Sequence, residues 1–390
     1  MRIFLSVGIA LALLLGSCQN NSSSDSKKDS AAKAAAVTPS NSKVVPGKTD
    51  SQLTAFARFI SGLDFPKKFA ANSTETWATY AKGNADKSKV LDARIGSKIR
   101  SWVSTANLQV SNEPRTLFYP FAGGDFYYPN LFFPNQDTII MIGLEPCGTP
   151  FNPDEEPKDT VARYLSALQR SMFFPHQLGF YRTLSMKDDF SNHLLNGTLH
   201  TVLFDMSHSG YTINYVKLFN LDNNGAVIDE VDAMGVKNKI FKGYRIGYSK
   251  PGGGVKELIY FSQDASDGGL KAQPGVMRFM EKRGDVVTFF KAASYLMHYD
   301  RFSTVRNFVT KHAVRLLQDD SGLPYKYMVN NGFAVTLHGN YTQTLPMFKE
   351  EFQADMRDAY AASEKHPVPF MIGYTAPKNE CNIQTAVRKK

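Results

Sequence analysis

Apolar residues along this chain follow two rhythms. From Ser51 to about Asn112 they recur every three or four positions: Leu53, Phe56, Phe59 and Ile60, then Trp77 and Tyr80, then Leu91, Ile95, Ile99, Trp102 and Val103. Each set makes one stripe of an amphipathic helix, and Ser73 or Thr74 is suited to cap the second. At Thr116 the rhythm changes. Two short apolar runs, Leu117 to Phe121 and Thr138 to Leu144, flank the break Ala122-Gly123-Gly124-Asp125 and an aromatic stretch. Unbroken runs of this length suit strands buried on both faces, and the separation suits a crossover, so the pair predicts the first unit of a parallel sheet.

The remaining pattern extends that sheet. Val161, Tyr164, Leu165 and Leu168 share a face in a helix predicted over 157–173, and Thr198 to Met206 reads as a third strand running into Ser207-His208. Two hairpins follow: Thr212–Leu221 with Ala226–Val231 about an Asp-Asn-Asn-Gly turn, and Tyr244–Ser249 with Glu257–Ser262 about Pro251-Gly252-Gly253-Gly254. The α/β alternation resumes with strands at 285–292, 314–317, 333–337 and 368–374, and helices at 301–312 and 346–360. The expected architecture is a three-layer α/β/α sandwich over 113–390. It carries an antiparallel hairpin insertion at about 212–263, or a hairpin edge, and an N-terminal helical arm over 51–112.

The first eighteen residues are of another kind. Arg2 precedes an apolar stretch, Ile3 to Leu15, too short to span a bilayer and followed by Gly16-Ser17-Cys18, which marks a cleaved export signal. Leu15-Gly16-Ser17-Cys18 resembles the lipobox of bacterial lipoproteins; an ordinary signal peptide holding a Cys is the alternative. The resemblance implies that Cys18 becomes a fatty-acylated (palmitate-type) first residue, its chains contributing about 0.8 kcal/mol per buried methylene. Gln19 in the next position implies sorting to the outer membrane, with the body facing the periplasm or the cell surface. Residues 19–50 hold almost no large apolar side chains and are expected to form a disordered tether.

Charge narrows the partners. Of the formal +9, Arg2 and the five Lys and three Asp of residues 19–50 supply three, and Arg388, Lys389 and Lys390 another three, leaving about +3 on the body with no basic stripe. Nucleic acid is therefore not an expected partner. Of the three cysteines, Cys18 belongs to the anchor; Cys147 and Cys381 each follow a predicted strand and either pair in an oxidising envelope or stay as thiols.

If the strands are parallel, their carboxyl ends gather Asp125, Glu145, Ser207, His208, Lys291, Asp319, Asp320 and Ser321, and open α/β sheets bind ligands there. Asp125 either caps the following helix or contacts ligand, and Lys291 either extends to solvent or acts as a desolvated base. Asp319-Asp320-Ser321-Gly322 is either a turn or a hard-oxygen cation site, and Tyr127, Tyr128, Phe132 and Phe133 form either a sugar-stacking platform or a helix face on the sheet. His193, His200 and His208 lack a zinc spacing, so no metal is expected. Asp125, His208, Asp319 and Asp320 are the catalytic candidates, although adjacent Ser207 and His208 would point to opposite faces of a strand. Gly123, Gly124, Asp125 and Glu145 are the ligand-binding candidates, for a small molecule or glycan of unassigned identity.

Two resemblances bear on these residues. The glycine turn after the first strand, with Glu145 ending the second, looks like the nucleotide-binding half of Rossmann-like S-adenosylmethionine methyltransferases. That likeness implies a Rossmann-like fold, backbone approach to a cofactor at Gly123 and Gly124, and ribose hydroxyls on Glu145; an adjacent glycine pair here replaces the spaced glycines. The stretches Tyr119-Pro120-Phe121-Ala122-Gly123-Gly124-Asp125, Lys291-Ala292-Ala293-Ser294-Tyr295-Leu296, Leu317-Gln318-Asp319-Asp320-Ser321-Gly322 and Ile372-Gly373-Tyr374 resemble a group of uncharacterised bacterial envelope lipoproteins with a YPFxGxD-type motif. That second likeness implies a fold but transfers no activity. The functions expected are binding or assembly at the membrane, or alternatively hydrolase or transferase chemistry on a glycan or lipid.

Overall fold

In the computed structural model, the described residues are 49–389 apart from 66–73, 107, 109–111, 178, 181–189, 191–192, 237–238 and 375–379. The export signal, Cys18, Gln19, nearly all of the tether, and Ser73 lie outside them. Among the described residues no helix is long and apolar enough to cross a membrane.

Among the described residues, ten strands form one mixed sheet: β1 Thr116–Tyr119, β2 Thr138–Gly143, β3 Thr212–Leu221, β4 Val227–Asp232, β5 Gly243–Ser249, β6 Lys256–Ser262, β7 Val286–Phe290, β8 Ala313–Gln318, β9 Phe333–Gly339 and β10 Asn382–Arg388. Their spatial order is β4-β3-β5-β6-β2-β1-β7-β8-β10-β9. The five central strands, β6 to β8, are mutually parallel, and β1 meets β2 in the register Thr116↔Thr138 to Tyr119↔Met141. Both wings are antiparallel. Numbered by first appearance, the central strands stand in the order 3-2-1-4-5, so the order reverses between β1 and β7.

Side-chain alternation sorts the central strands between two cores. Leu117, Tyr119, Ile139, Met141, Val287 and Phe289 enter one core, and Phe118, Ile140, Ile142, Val286 and Phe290 the other. That two-sided burial is why these segments read as unbroken apolar runs. The first core also takes Leu53, Phe56, Ile99 and Trp102 of the N-terminal helices, so the 51–112 arm shares its core with the sheet. Asp50 starts that arm, its Oδ1 accepting from the Gln52 and Leu53 amides at 2.9 Å each, as an N-cap does.

Three expectations need correction. Residues 199–208 form a helix, not a strand. Leu199 to Ser207 are all buried, so no polar stripe reveals the helical period, and a buried helix looks like a buried strand. The segment at 368–374 is not a strand; Pro367 and Pro369 cannot donate to a ladder, and Gly373 takes φ +54°. The last strand is instead β10, antiparallel between β8 and β9, whose polar Asn382 and Gln384 hid its burial. The hairpin region is no insertion as a whole. β6 pairs with β2 in parallel over six residues and belongs to the central sheet, while β3, β4 and β5 form one wing.

Cys147 follows β2 and Cys381 precedes β10. Those strands are four spacings apart, about 19 Å, whereas a disulfide needs Cα atoms within roughly 7 Å. Both are buried thiols that do not bridge, and burial pushes the Cys147 thiol up to about 12.

Candidate functional site

A cavity of about 310 Å³ opens at the carboxyl ends of β1, β2, β6 and β7, where the strand order reverses. Its polar lining includes Asp125, Glu145, Gln263, Asp264, Lys291 and Ser294, and Phe121, Phe180 and Phe302 give it aromatic walls.

Backbone geometry shapes the floor. Beyond β1 the chain stays on β2 through the Ala122 amide, which donates to the Ile142 carbonyl at 2.8 Å. It then turns through Phe121 at φ +62° and Gly123 at φ +56°. The Glu145 carboxylate lies over Gly143: a Cβ on Gly143 would meet Glu145 Oε2 at 2.7 Å and Gly123 Cα at 3.0 Å. Only glycine allows this approach, so the two glycines bring backbone and carboxylate together in the cavity lining. Glu145 is itself buried, and its carbonyl accepts from the Tyr260 hydroxyl at 2.7 Å.

Asp125 sits on the floor and does two jobs. Its Oδ1 accepts from the Tyr128 amide at 3.3 Å, in the first turn of the helix Tyr127–Phe132, whose N-cap position is Phe126. Its Oδ2 accepts from the Tyr119 hydroxyl and from Lys291 Nζ, each at 2.9 Å. Lys291 also donates to the Gly179 carbonyl and lies 4.1 Å from the centre of the Tyr128 ring. The Lys291 ammonium thus has a carboxylate, a carbonyl and an aromatic face for its three donors. It is neither the solvent-reaching lysine nor the free base that the sequence suggested, since it is buried and ion-paired.

The loop after β7 forms the next wall. Ala292, Ser294 and Tyr295 all have positive φ without being glycine, at 49°, 51° and 55°. Such backbone persists only when neighbours hold it. Asp319 provides that hold: its Oδ2 accepts from the Ala292 amide at 2.8 Å, its Oδ1 accepts from the Ser321 amide and hydroxyl, and Ser321 Oγ accepts from the Ala293 amide at 2.7 Å. Burial, with Asp320 beside it, pushes the Asp319 carboxyl up to about 6. Asp319 does not line the cavity; it positions the residues that do.

The other candidates lie elsewhere. Asp320 turns inward, accepting from the Tyr295 hydroxyl and from Asn382 Nδ2, so the acid pair is a buried support rather than a cation loop. Among the described residues no three His, Cys, Asp or Glu side chains converge as metal ligands. His208 ends the helix Leu199–His208; its Nε2 donates to the Ser61 carbonyl at 3.0 Å, and burial pushes its pKa down to about 4. Ser207 and His208 are helical neighbours, and neither lines the cavity. Gly124 is buried in the turn, its carbonyl accepting from the Phe126 amide. Tyr128, Phe132 and Phe133 are buried in the first core rather than offered as a platform.

Of the ligand candidates, Gly123, Asp125 and Glu145 do meet in one cavity. Sequence reasoning missed Gln263, Asp264, Phe180 and Phe302. Gln263-Asp264 ends β6, whose parallel partnership was hidden by its hairpin with β5. Comparison with known protein families, curated proteins and solved structures gives no match.

Proposed function

We propose that this protein is a lipid-anchored envelope protein whose Rossmann-like body binds a small, hydroxyl-bearing ring ligand, a sugar of glycan type, in the cavity at the carboxyl ends of β1, β2, β6 and β7. The observation that carries the reading is that cavity's composition: three phenylalanines in a lining where the Glu145 carboxylate approaches Gly143 beside Gly123. Aromatic faces suit the apolar faces of a ring, carboxylates accept from hydroxyls, and the space is of ligand size. The strand order 3-2-1-4-5 supports a doubly wound body, and its reversal point is where such sheets take ligands. The anchor and the outer-membrane placement rest on the Leu15–Cys18 pattern.

Binding is favoured over turnover. Asp125, the acid on the floor, is held by Tyr119, Tyr128 and Lys291, and the base candidate His208 lies outside the cavity. General acid–base work needs a group within hydrogen-bond reach of the reacting atom and able to change its proton. The purified protein, heated with N-acetylglucosamine, is expected to unfold at higher temperature; at about 100 times Kd the gain is about 2.7 kcal/mol. Absence of any shift at saturating sugar would remove the reading.

One observation favours a second reading. Glu145 lies two residues beyond the second parallel strand, and its Oε2 and the Gly123 Cα both lie within about 3 Å of where a Cβ on Gly143 would stand, which is compatible with the ribose-binding acid that the methyltransferase likeness implies. S-adenosylmethionine in the same experiment separates the two: a shift with it and none with the sugar would select the nucleoside cofactor.

A further inference from the structure

A second cavity, of about 260 Å³, lies beside the first and shares one residue with it, Gln263. It is lined by Phe219, Asn220, Asn223, Lys242, Phe261 and Gln273 among others. β3 runs antiparallel to β5, and β5 antiparallel to β6, so β3 points the same way as β6. The ends of β3 and β6 therefore open on the same edge of the sheet as the first cavity. From β3 to β7 that edge crosses five strand spacings, about 24 Å. Such a length exceeds what one ring needs.

Gln263 is a fixed partition, not a loose side chain. It is buried, its amide donates to the Gly143 carbonyl at 2.8 Å, and its Nε2 donates to the Asp264 and Gly269 carbonyls at 2.8 and 3.2 Å. The second cavity differs from the first in chemistry. Its polar groups include four side-chain amides (Asn220, Asn223, Gln263 and Gln273) beside Lys242, and Oδ1 of the Asp222 carboxylate accepts from the Asn224 and Ala226 amides. Amides both donate and accept, which suits neutral hydroxyl and acetamido groups.

Resting on the sugar reading of the first cavity, we propose that the second is a further sugar subsite, and that the ligand is an oligosaccharide of at least two rings laid along the sheet edge across Gln263. The experiment is titration calorimetry on the whole protein with N-acetylglucosamine and with its β-1,4 disaccharide, diacetylchitobiose. Wild-type protein is expected to bind the disaccharide at least about tenfold more tightly. Gln273→Trp and Asn223→Trp, both substitutions at exposed positions that would fill the second cavity, are expected to bring the ratio of the two affinities to about one. Equal affinities in the wild type, or a ratio retained in both variants, would overturn the second subsite while leaving the first cavity's role intact. Failure of both sugars to bind the wild type would overturn the reading of the first cavity and this subsite with it.

Discussion

Lys291 Nζ stands 2.9 Å from Asp125 Oδ2, and each side chain is at most 3% exposed. The pair joins the loop after β7 to the turn after β1, the two segments on either side of the strand-order reversal. A buried ion pair is costly to break from one side, because the remaining charge stays desolvated. Lys291→Met and Asp125→Leu are each expected to lower stability by about 3–5 kcal/mol in urea unfolding. The double variant should recover much of that loss. Single variants within about 0.5 kcal/mol of wild type would mean that the pair is not closed in solution.

Asp319 carries a pH signature. Its folded-state pKa of about 6 lies above the ordinary value of 3.8, so the folded protein holds the proton more tightly than the unfolded chain between those limits. That term of stability is fully present below about pH 4 and is lost as pH rises towards 6. Asp319→Asn should abolish it, which denaturant titrations would register as a gain in stability relative to wild type on going from pH 4.5 to 6.5. An identical pH dependence in both proteins would exclude the assignment.

Two histidines act with the opposite sign. Burial lowers the pKa of His200 to about 3 and that of His208 to about 4, so the unfolded chain takes up protons that the folded one refuses below pH 6.5. At pH 5.5 each costs about 1.4 kcal/mol relative to neutral pH. His208→Gln, which keeps a donor for the Ser61 carbonyl, should recover about that amount at pH 5.5 relative to wild type, with little change at pH 8. A recovery equal at both pH values would point to packing instead of protonation.

Cys147 and Cys381 should be unreactive towards a thiol reagent in the folded protein and should both react after denaturation without any reductant. Failure to react in the unfolded chain would mean that they are oxidised, against the four strand spacings that separate β2 from β10.

Sequence patterning revealed what has a period or a punctuation mark. β1 and β2 were legible because both faces are buried and a glycine-acid break ends the first. The helix Ser51–Ile60 was legible from its stripe. Residues 199–208 were not, because full burial erases the period, and β10 was not, because Asn382 and Gln384 face polar partners in the interior. Within the site, Gly123, Asp125 and Glu145 were readable as strand-end residues. Phe302 was not, since it reaches the cavity from the start of a helix distant in the chain, and neither was the Lys291 pairing. No local pattern encodes which strand end will face another.

The account rests on the first cavity being a ligand site, and titration calorimetry of the whole protein with N-acetylglucosamine, repeated on Glu145→Gln and Phe302→Ala, tests it most directly. A saturable one-to-one heat in the wild type, weakened at least about tenfold in both variants, is the predicted result. Wild-type binding that both variants retain unchanged would put the ligand elsewhere on the protein and contradict the account.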